Sequence, residues 1–152
     1  MLALVQSPAR GGIASFLGIV RDHQSGRAVV GLDYSAYAPM AEAVSQEIVS
    51  EAESRWDVAV SLLHRIGKLS VGDTAVAVVA ASAHRDDAFL ACRYVIEQVK
   101  RRVPIWKKEY YADGSVMWVG SGEAGMRGRR KDRKQESVKI RAGLTEHDVG
   151  RS

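Results

Sequence analysis

Six strand-like and two helix-like segments follow one another in the first 120 residues, in an order that restricts the possible folds. The apolar runs IASFLGIV and TAVAVVAASA, at residues 13–20 and 74–83, are typical of buried strands because they are continuous and rich in β-branched residues. Two regions have apolar residues at helical spacing: the first begins at Pro39, and the second ends before Pro104. The resulting order, β-β-α-β-β-α-β-β, contains too few βαβ units for a doubly wound parallel fold. We therefore predict an α+β fold with two main helices and a largely antiparallel sheet.

The apolar spacing also predicts which side chains face the core. In the segment VVGLDYSAY, alternation places Val30, Leu32 and Tyr34 on one face of a half-buried strand. The apolar face of the first helix consists of residues four positions apart, namely Met40, Val44, Ile48 and Ala52. The apolar face of the second helix consists of Phe89, Cys92, Ile96 and Val99. We expect the first helix to cover one face of the sheet.

Charge is distributed unevenly along the chain. Residues 1–120 contain thirteen basic and thirteen acidic residues, whereas residues 121–152 contain nine and five, so the final segment holds the whole net charge of +4. That segment has no aromatic residue and few large aliphatic ones, so it cannot bury enough apolar surface to offset the entropy cost of ordering. We predict one domain over residues 1–120 and a basic, flexible tail over residues 121–152. The run RGRRKDRK in the tail is able to contact phosphates, but it contains no base-reading motif.

The single cysteine, Cys92, excludes an internal disulfide, a CxxC redox pair and a cysteine-based zinc site. Its place on the apolar helix face predicts a buried, inert thiol. No apolar run reaches the roughly 18 residues of a membrane helix, and the N-terminus lacks the features of a signal peptide. These observations predict a soluble cytoplasmic protein.

Three histidines lie in the predicted domain. His64 shares its face with valines and leucines, which favours a hydrogen-bonded core histidine over a ligand. His84 follows a strand and precedes Arg85, where orienting an anion or donating a proton is as reasonable a role as making a structural hydrogen bond. His23 lies in a polar loop, and the spacing of the three does not suggest a zinc site. We therefore predict no metal.

Several cations lie at the ends of predicted elements, where a rigid scaffold presents side chains to a ligand. They are Arg21 after the first strand, His84 and Arg85 after the central strand, Lys100 in the last helical turn and Lys107 after Pro104. Such a set suits a phosphate-bearing substrate, because arginine binds phosphate bidentately and lysine supplies a mobile charge. Crowding by Arg101 and Arg102, with partial burial, is expected to lower the pKa of Lys100 and free some neutral amine. The alternative is that these cations only cap the helix or are solvated, and spacing alone does not decide between the two.

Four segments resemble a known enzyme family. GGIASFLGIVRDHQSG, HRIGKLSVGD, SAHRDDAF and VKRRVPIWKKE are similar, in the same order, to segments of the catalytic large subunit of molybdopterin synthase. The resemblance extends over about residues 8–119. It implies an α/β hammerhead fold and a homodimer of large subunits, each with a small ubiquitin-like partner. It also implies that this chain begins late, because family members usually have a further N-terminal segment, and the tail matches no family pattern.

The resemblance further implies a reaction and the residues that carry it out. A Gly-Gly thiocarboxylate at the partner's C-terminus donates two sulfur atoms in all to cyclic pyranopterin monophosphate, which forms the dithiolene of molybdopterin without a metal or other cofactor. The implied catalytic residues are Lys100, as a base, an acid or an acyl acceptor, and Lys107, as the group that stabilises the oxyanion. The implied substrate-binding residues are Arg21, His84 and Arg85, with Lys108 and Glu109 as weaker assignments.

Two alternatives from other classes remain at this point. One is a basic module that binds nucleic acid through residues 85–108 and the tail, although the balanced charge of residues 1–120 counts against it. The other is a noncatalytic scaffold of the same fold, although the presence of Lys100 and Lys107 counts against that.

Overall fold

The computed structural model describes residues 1–120 and 139–143. In these ranges the chain forms α1 (Leu2–Val5), β1 (Gly12–Ile19), β2 (His23–Gln24), β3 (Arg27–Ala36), α2 (Ala38–Arg55), β4 (Val58–Arg65), β5 (Gly67–Ser70), β6 (Thr74–Ser82), α3 (Arg85–Arg102), β7 (Ile105–Tyr111), β8 (Val116–Gly120) and β9 (Lys139–Gly143). Every strand pairing within these ranges is antiparallel. The predicted α+β class, its two main helices and its antiparallel strands are therefore confirmed.

Four strands form the first sheet, in the order β1-β6-β4-β9. Helices α2 and α3 pack against one face, where Ile48, Val78 and Val95 are completely buried. On the opposite face Val5 of α1 packs against Val79 of β6. Because successive strand residues point to opposite faces and both faces of β6 are covered, a nearly continuous apolar sequence suits this strand.

The second sheet has the order β2-β3-β7-β8, and β5 also pairs with β3. Leu32, Leu69 and Tyr111 form part of its own buried cluster. Tyr34 packs against this cluster and also against the core of the first sheet, so it lies where the two sheets meet. Arg27 packs against the β7–β8 hairpin, and its guanidinium lies 3.8 Å from the centre of the Tyr111 ring.

Three predicted core positions are wrong. Met40 is 53% exposed in the first turn of α2. Val30 is 58% exposed and Val29 is buried, because a register shift between Val29 and Gly31 rotates this part of β3. Phe89 is 62% exposed, because it lies roughly a quarter turn from the centre of the buried face of α3. The sequence pattern also missed β5, a strand between β4 and β6 that pairs with β3 from Gly67 to Ser70.

A strand also occurs in the segment for which a flexible tail was predicted. Residues 139–143 form β9, which pairs with β4 and places Ile140 opposite His64. Residues 121–138 and 144–152, including the run RGRRKDRK, lie outside the described residues, and the division into a domain and a tail stays a prediction. No helix in the described ranges combines the length and apolarity needed to cross a membrane.

Candidate functional site

Two cavities lie between the sheets and share four lining residues. The larger cavity, which we call the polar chamber, has a volume of about 610 Å³ and includes Arg21, His23, Gln24 and Glu109 in its lining. The smaller cavity, which we call the apolar chamber, has a volume of about 290 Å³ and has aliphatic walls formed by Val76, Ile96, Val99, Val103, Ile105 and Val119. The residues common to both are Tyr34, Val76, Lys100 and Lys107. The two lysines therefore stand where the chambers meet.

Lys107 is held in place by a buried carboxylate on its own strand. Alternation along β7 puts Lys107, Glu109 and Tyr111 on one face. The Lys107 Nζ atom lies 2.7 Å from Glu109 Oε1, and the Tyr111 hydroxyl donates a hydrogen bond to the other carboxylate oxygen. Burial would raise the pKa of Glu109, but the bonds from Lys107 and Tyr111, with the charges of Lys107 and Arg21, outweigh burial and hold it below its usual value. Glu109 is therefore a charged partner of Lys107 that is only 2% exposed.

Lys100 occupies the last turn of α3, as the sequence predicted, but its surroundings differ from those expected. Its side chain is exposed rather than partly buried, and its Nζ atom lies 5.7 Å from the centre of the Phe16 ring. Arg102 does not crowd it, because residues two positions apart on a helix point in different directions. Instead, Arg102 donates to Glu51 at 2.6 Å and lies 3.5 Å from Glu47, both on α2. The expected cluster of three neighbouring cations is therefore wrong.

Arg21 supplies a further cation to the polar chamber. It follows the end of β1, where the strand leaves the sheet, and its side chain is exposed. Its Nη2 atom donates to Gln24 Oε1 at 2.7 Å. A guanidinium held at the cavity wall while remaining open to solvent is able to bind an entering phosphate.

Tyr34 and His64 line the site although the sequence analysis did not assign them to it. The prediction that His64 is a buried, hydrogen-bonded histidine is confirmed, since it is 8% exposed and its Nδ1 atom lies 2.8 Å from the Arg65 carbonyl oxygen. Burial lowers the pKa of His64, so the neutral ring is favoured. Its ring meets the Tyr34 ring edge to face, with centres 5.0 Å apart. Burial, reinforced by the charge of Glu109, raises the pKa of Tyr34, so the neutral phenol is favoured there.

His84 and Arg85 lie at the other end of α3 from Lys100. His84 immediately precedes the helix, and the Arg85 side chain is 84% exposed, 3.9 Å from Asp86. Lys100 comes fifteen residues after Arg85, which is about 22 Å along the axis at about 1.5 Å per residue. Neither residue lines the two chambers. A single chain therefore does not bring all the predicted site residues together.

Lys108 lies on the outer face of the second sheet. It is next to Lys107 in sequence, and neighbouring strand residues point to opposite faces. Its Nζ atom lies 5.2 Å from the centre of the Tyr110 ring and 5.6 Å from that of Trp118. The structure therefore separates Lys108 from the chambers that Lys107 lines.

Cys92 is buried in α3, as predicted, at 6% exposure. Its Sγ atom lies 3.9 Å from the Val78 carbonyl oxygen, and burial raises the pKa of the thiol. It faces the first sheet and does not line either chamber. A thiol in this position is unable to deliver sulfur to a substrate at Lys100.

The chemistry of the site is that of an anion-binding cavity. Arg21, Lys100 and Lys107 line it, and the carboxylate of Glu109 is already paired with Lys107. Across residues 1–120 and 139–143, no group of three or more histidine, cysteine or acidic side chains is arranged to hold a metal ion. The fold and the site together define a class of small α+β proteins in which a pair of lysines lines a cavity between two antiparallel sheets.

Comparison with known proteins identifies the family within this class. The model of the MoaE protein family matches residues 1–102. The molybdopterin synthase catalytic subunit 1 of Mycobacterium tuberculosis is 45% identical over 121 residues, which are 79% of this chain and 82% of the relative. The crystal structure of molybdopterin synthase from Staphylococcus aureus has a TM-score of 0.74 and 39% identity, and the match covers 78% of this chain and 86% of that one. A complex of subunits 1 and 2 of molybdopterin-converting factor from Helicobacter pylori shares the fold, with a TM-score of 0.61, 22% identity and coverage of 76% and 74%.

This chain belongs to the MoaE family. The resemblance seen in the sequence is therefore confirmed, and with it the assignment to molybdenum cofactor biosynthesis as a sulfurtransferase.

Proposed function

We propose that this chain transfers sulfur from the C-terminal thiocarboxylate of a small ubiquitin-like partner to cyclic pyranopterin monophosphate. The observation that carries this proposal is the meeting of two chambers of different character at Lys100 and Lys107. A reaction between two substrates needs such an arrangement, because each substrate must reach the same reacting groups from its own side.

The apolar chamber suits the Gly-Gly tail of the partner. Glycine has no side chain, so an extended Gly-Gly segment is narrow enough to pass between aliphatic walls such as Val99, Ile105 and Val119. The negative charge of the thiocarboxylate then reaches Lys100 and Lys107 at the inner end. The H. pylori relative forms a complex of two subunits of a molybdopterin-converting factor, which supports a protein partner for this chain.

The polar chamber suits the phosphate-bearing substrate. Its volume of about 610 Å³ is twice that of the apolar chamber, and Arg21 provides the guanidinium that phosphate prefers. Glu109 does not bind substrate in this scheme. It is buried and paired with Lys107, so we assign it the role of holding the Lys107 ammonium in position.

The chemistry follows from these positions. The thiocarboxylate sulfur attacks a carbon of the pterin substrate that bears an oxygen substituent, and the carbon–oxygen bond breaks as the oxygen leaves with the bonding electron pair, either as a phosphate-ester oxygen or, after protonation, as water. The new carbon–sulfur bond makes a thioester between partner and substrate. The acyl–sulfur bond then breaks as water or the Lys100 amine attacks the acyl carbon, so the sulfur remains on the substrate. Lys100 accepts the proton of the attacking water, and the partner leaves as a carboxylate; alternatively Lys100 takes the acyl group as an amide, which water then cleaves to restore the free amine. Lys107 stabilises the oxyanion that develops at the acyl oxygen. A second cycle delivers the second sulfur atom.

We assign His84 and Arg85 to the same reaction through a second copy of the chain. They lie about 22 Å from Lys100 along α3, so in one chain they do not reach the substrate that Lys100 contacts. A homodimer that places the start of one α3 beside the polar chamber of the other copy would supply both as phosphate ligands. We further propose the cytoplasm as the compartment, where a free Cys92 thiol stays reduced.

An assay of partner dependence tests the function. Purified chain with the cyclic phosphate alone is expected to form no dithiolene, and addition of a thiocarboxylated partner ending in Gly-Gly is expected to start product formation. The matched control is the same partner with an ordinary carboxylate, which is expected to be inactive. Product formation from sulfide alone, at the rate seen with the thiocarboxylated partner, would contradict the proposal.

A further inference from the structure

The apolar chamber contains two polar side chains that the reaction described above does not use, Tyr34 and His64. Four side chains with polar atoms line this chamber, namely Tyr34, His64, Lys100 and Lys107. The lysines have been assigned to the reacting atoms, and Tyr34 lines both chambers. His64 is almost completely buried, yet it borders a cavity that we assign to a peptide.

The hydrogen bond of His64 determines which ring nitrogen carries the proton. The Arg65 carbonyl oxygen, 2.8 Å from Nδ1, accepts hydrogen bonds and never donates them. The proton of the neutral ring is therefore on Nδ1, and Nε2 carries a free lone pair. The edge-to-face contact with Tyr34, with ring planes at 84°, keeps the ring in this orientation.

The Nε2 atom is available to a ligand. In the part of the chain that the structure describes, the hydrogen bond of the His64 ring is made by Nδ1. No side-chain nitrogen or oxygen in this part is both sealed from solvent and without a partner. The Nε2 atom therefore has no partner in this part and is not sealed from solvent, and the apolar chamber is the cavity that His64 lines.

An acceptor in this chamber matters because of what a peptide brings into it. Each residue of an extended peptide carries an N–H group, and an N–H group buried between aliphatic walls without an acceptor weakens binding. The ammonium groups of Lys100 and Lys107 only donate hydrogen bonds, so they satisfy the carbonyl and thiocarboxylate atoms but not the N–H groups. The neutral His64 Nε2 only accepts, which is the complementary property.

We propose that His64 Nε2 accepts a hydrogen bond from a backbone N–H of the Gly-Gly tail and thereby aligns the tail in the apolar chamber. This inference rests on the proposed function, because that function supplies the tail. It makes His64 a binding and positioning residue for the partner.

A double-mutant cycle between the protein and a synthetic peptide tests the contact. The probe is a ten-residue peptide ending in Gly-Gly, together with two versions that carry an N-methyl group on the last or the next-to-last glycine. Full-length wild type and His64→Asn are compared, since asparagine can keep a donor towards the Arg65 carbonyl while removing Nε2. Wild type is expected to bind one of the two methylated peptides about tenfold more weakly than the unmethylated peptide, which is a loss of about 1.4 kcal/mol in binding free energy. His64→Asn is expected to bind the unmethylated peptide about tenfold more weakly than wild type does. The same methylation is expected to lower the affinity of His64→Asn less than about twofold.

Two controls separate this contact from a general disturbance. A peptide that is N-methylated five residues before its C-terminus is expected to bind both proteins as the unmethylated peptide does. His23→Asn changes a histidine of the polar chamber and is expected to keep the full sensitivity to glycine methylation.

The nitrogen-15 signals of His64 in the wild type are expected to show the Nδ1-protonated neutral ring, with the Nε2 signal shifting when the peptide binds.

The outcomes distinguish this inference from the function on which it rests. If methylation costs His64→Asn as much as it costs wild type, or if the ring carries its proton on Nε2, the contact is refuted and the proposed function stands. If wild type binds neither the Gly-Gly peptide nor a complete Gly-Gly partner, the proposed function fails, and the inference fails with it.

Discussion

At the scale of single residues, the two lysines differ in how tightly they are held. Lys107 is fixed by its 2.7 Å contact with Glu109, whereas Lys100 is exposed, with its ammonium over the Phe16 ring. A fixed ammonium suits charge stabilisation, and a free one suits proton transfer or nucleophilic attack. The structure therefore supports different roles for the two.

Substitution of Lys100 tests this difference. Lys100→Ala is expected to abolish turnover while weakening substrate binding only modestly, because one of several cations contributes little to binding but a base or nucleophile has no substitute. Lys100→Arg keeps the charge without readily supplying a neutral amine, so it is also expected to be inactive. The matched control is Lys108→Ala on the outer face, which is expected to retain turnover. Near-normal turnover by Lys100→Arg at saturating partner and substrate would show that Lys100 acts only as a charge.

The sequence identified some site residues and missed others for physical reasons. Lys100 and Lys107 could be predicted, because they are cations at the ends of elements. Tyr34 and His64 could not, because each is an ordinary residue in an alternating strand and becomes part of the site only where the two sheets meet. Tyr34 reaches the site because it pairs directly with Lys107 across β3 and β7, and this register is visible only in the structure.

At the scale of elements, helix length separates residues that the sequence analysis grouped together. A helix of 18 residues holds Arg85 and Lys100 near its opposite ends. That separation follows from helical rise once the helix is known. The register shift in β3 and the strand β9 were not predictable in this way, because they depend on pairing with distant strands.

Truncation tests what β9 contributes. Deletion of residues 144–152 is expected to change nothing measurable, whereas deletion of residues 121–152 removes β9 and leaves β4 as an unpaired edge. The longer deletion is expected to lower the Tm by several degrees, to promote association through the free edge, and to leave sulfur transfer within about tenfold of normal. Thermal unfolding, light scattering and turnover measure these effects. If the deletion of residues 121–152 lowered sulfur transfer by more than about tenfold while the shorter deletion did not, the tail would be part of the site.

At the scale of the whole molecule, the account requires two copies of the chain for one complete site. A hybrid dimer of one Lys100→Ala chain and one Arg85→Ala chain tests this requirement. If each site takes Lys100 from one copy and Arg85 from the other, one of the two sites in the hybrid is intact, and about half of wild-type turnover is expected. If both residues come from the same copy, both sites are defective. Turnover no higher than in the separate parent variants would contradict the shared site.

The central claim is that both sulfur atoms come from the partner and none from this chain. Cys92 is the single cysteine, and it is buried away from both chambers. The most direct measurement uses a partner whose thiocarboxylate carries sulfur-34, with unlabelled chain and unlabelled sulfide present, and determines the mass of the dithiolene product. Each product molecule is expected to contain two sulfur-34 atoms, and Cys92→Ala is expected to give the same result. Product that contains unlabelled sulfur, or product whose formation stops in Cys92→Ala while the protein stays folded, would contradict it.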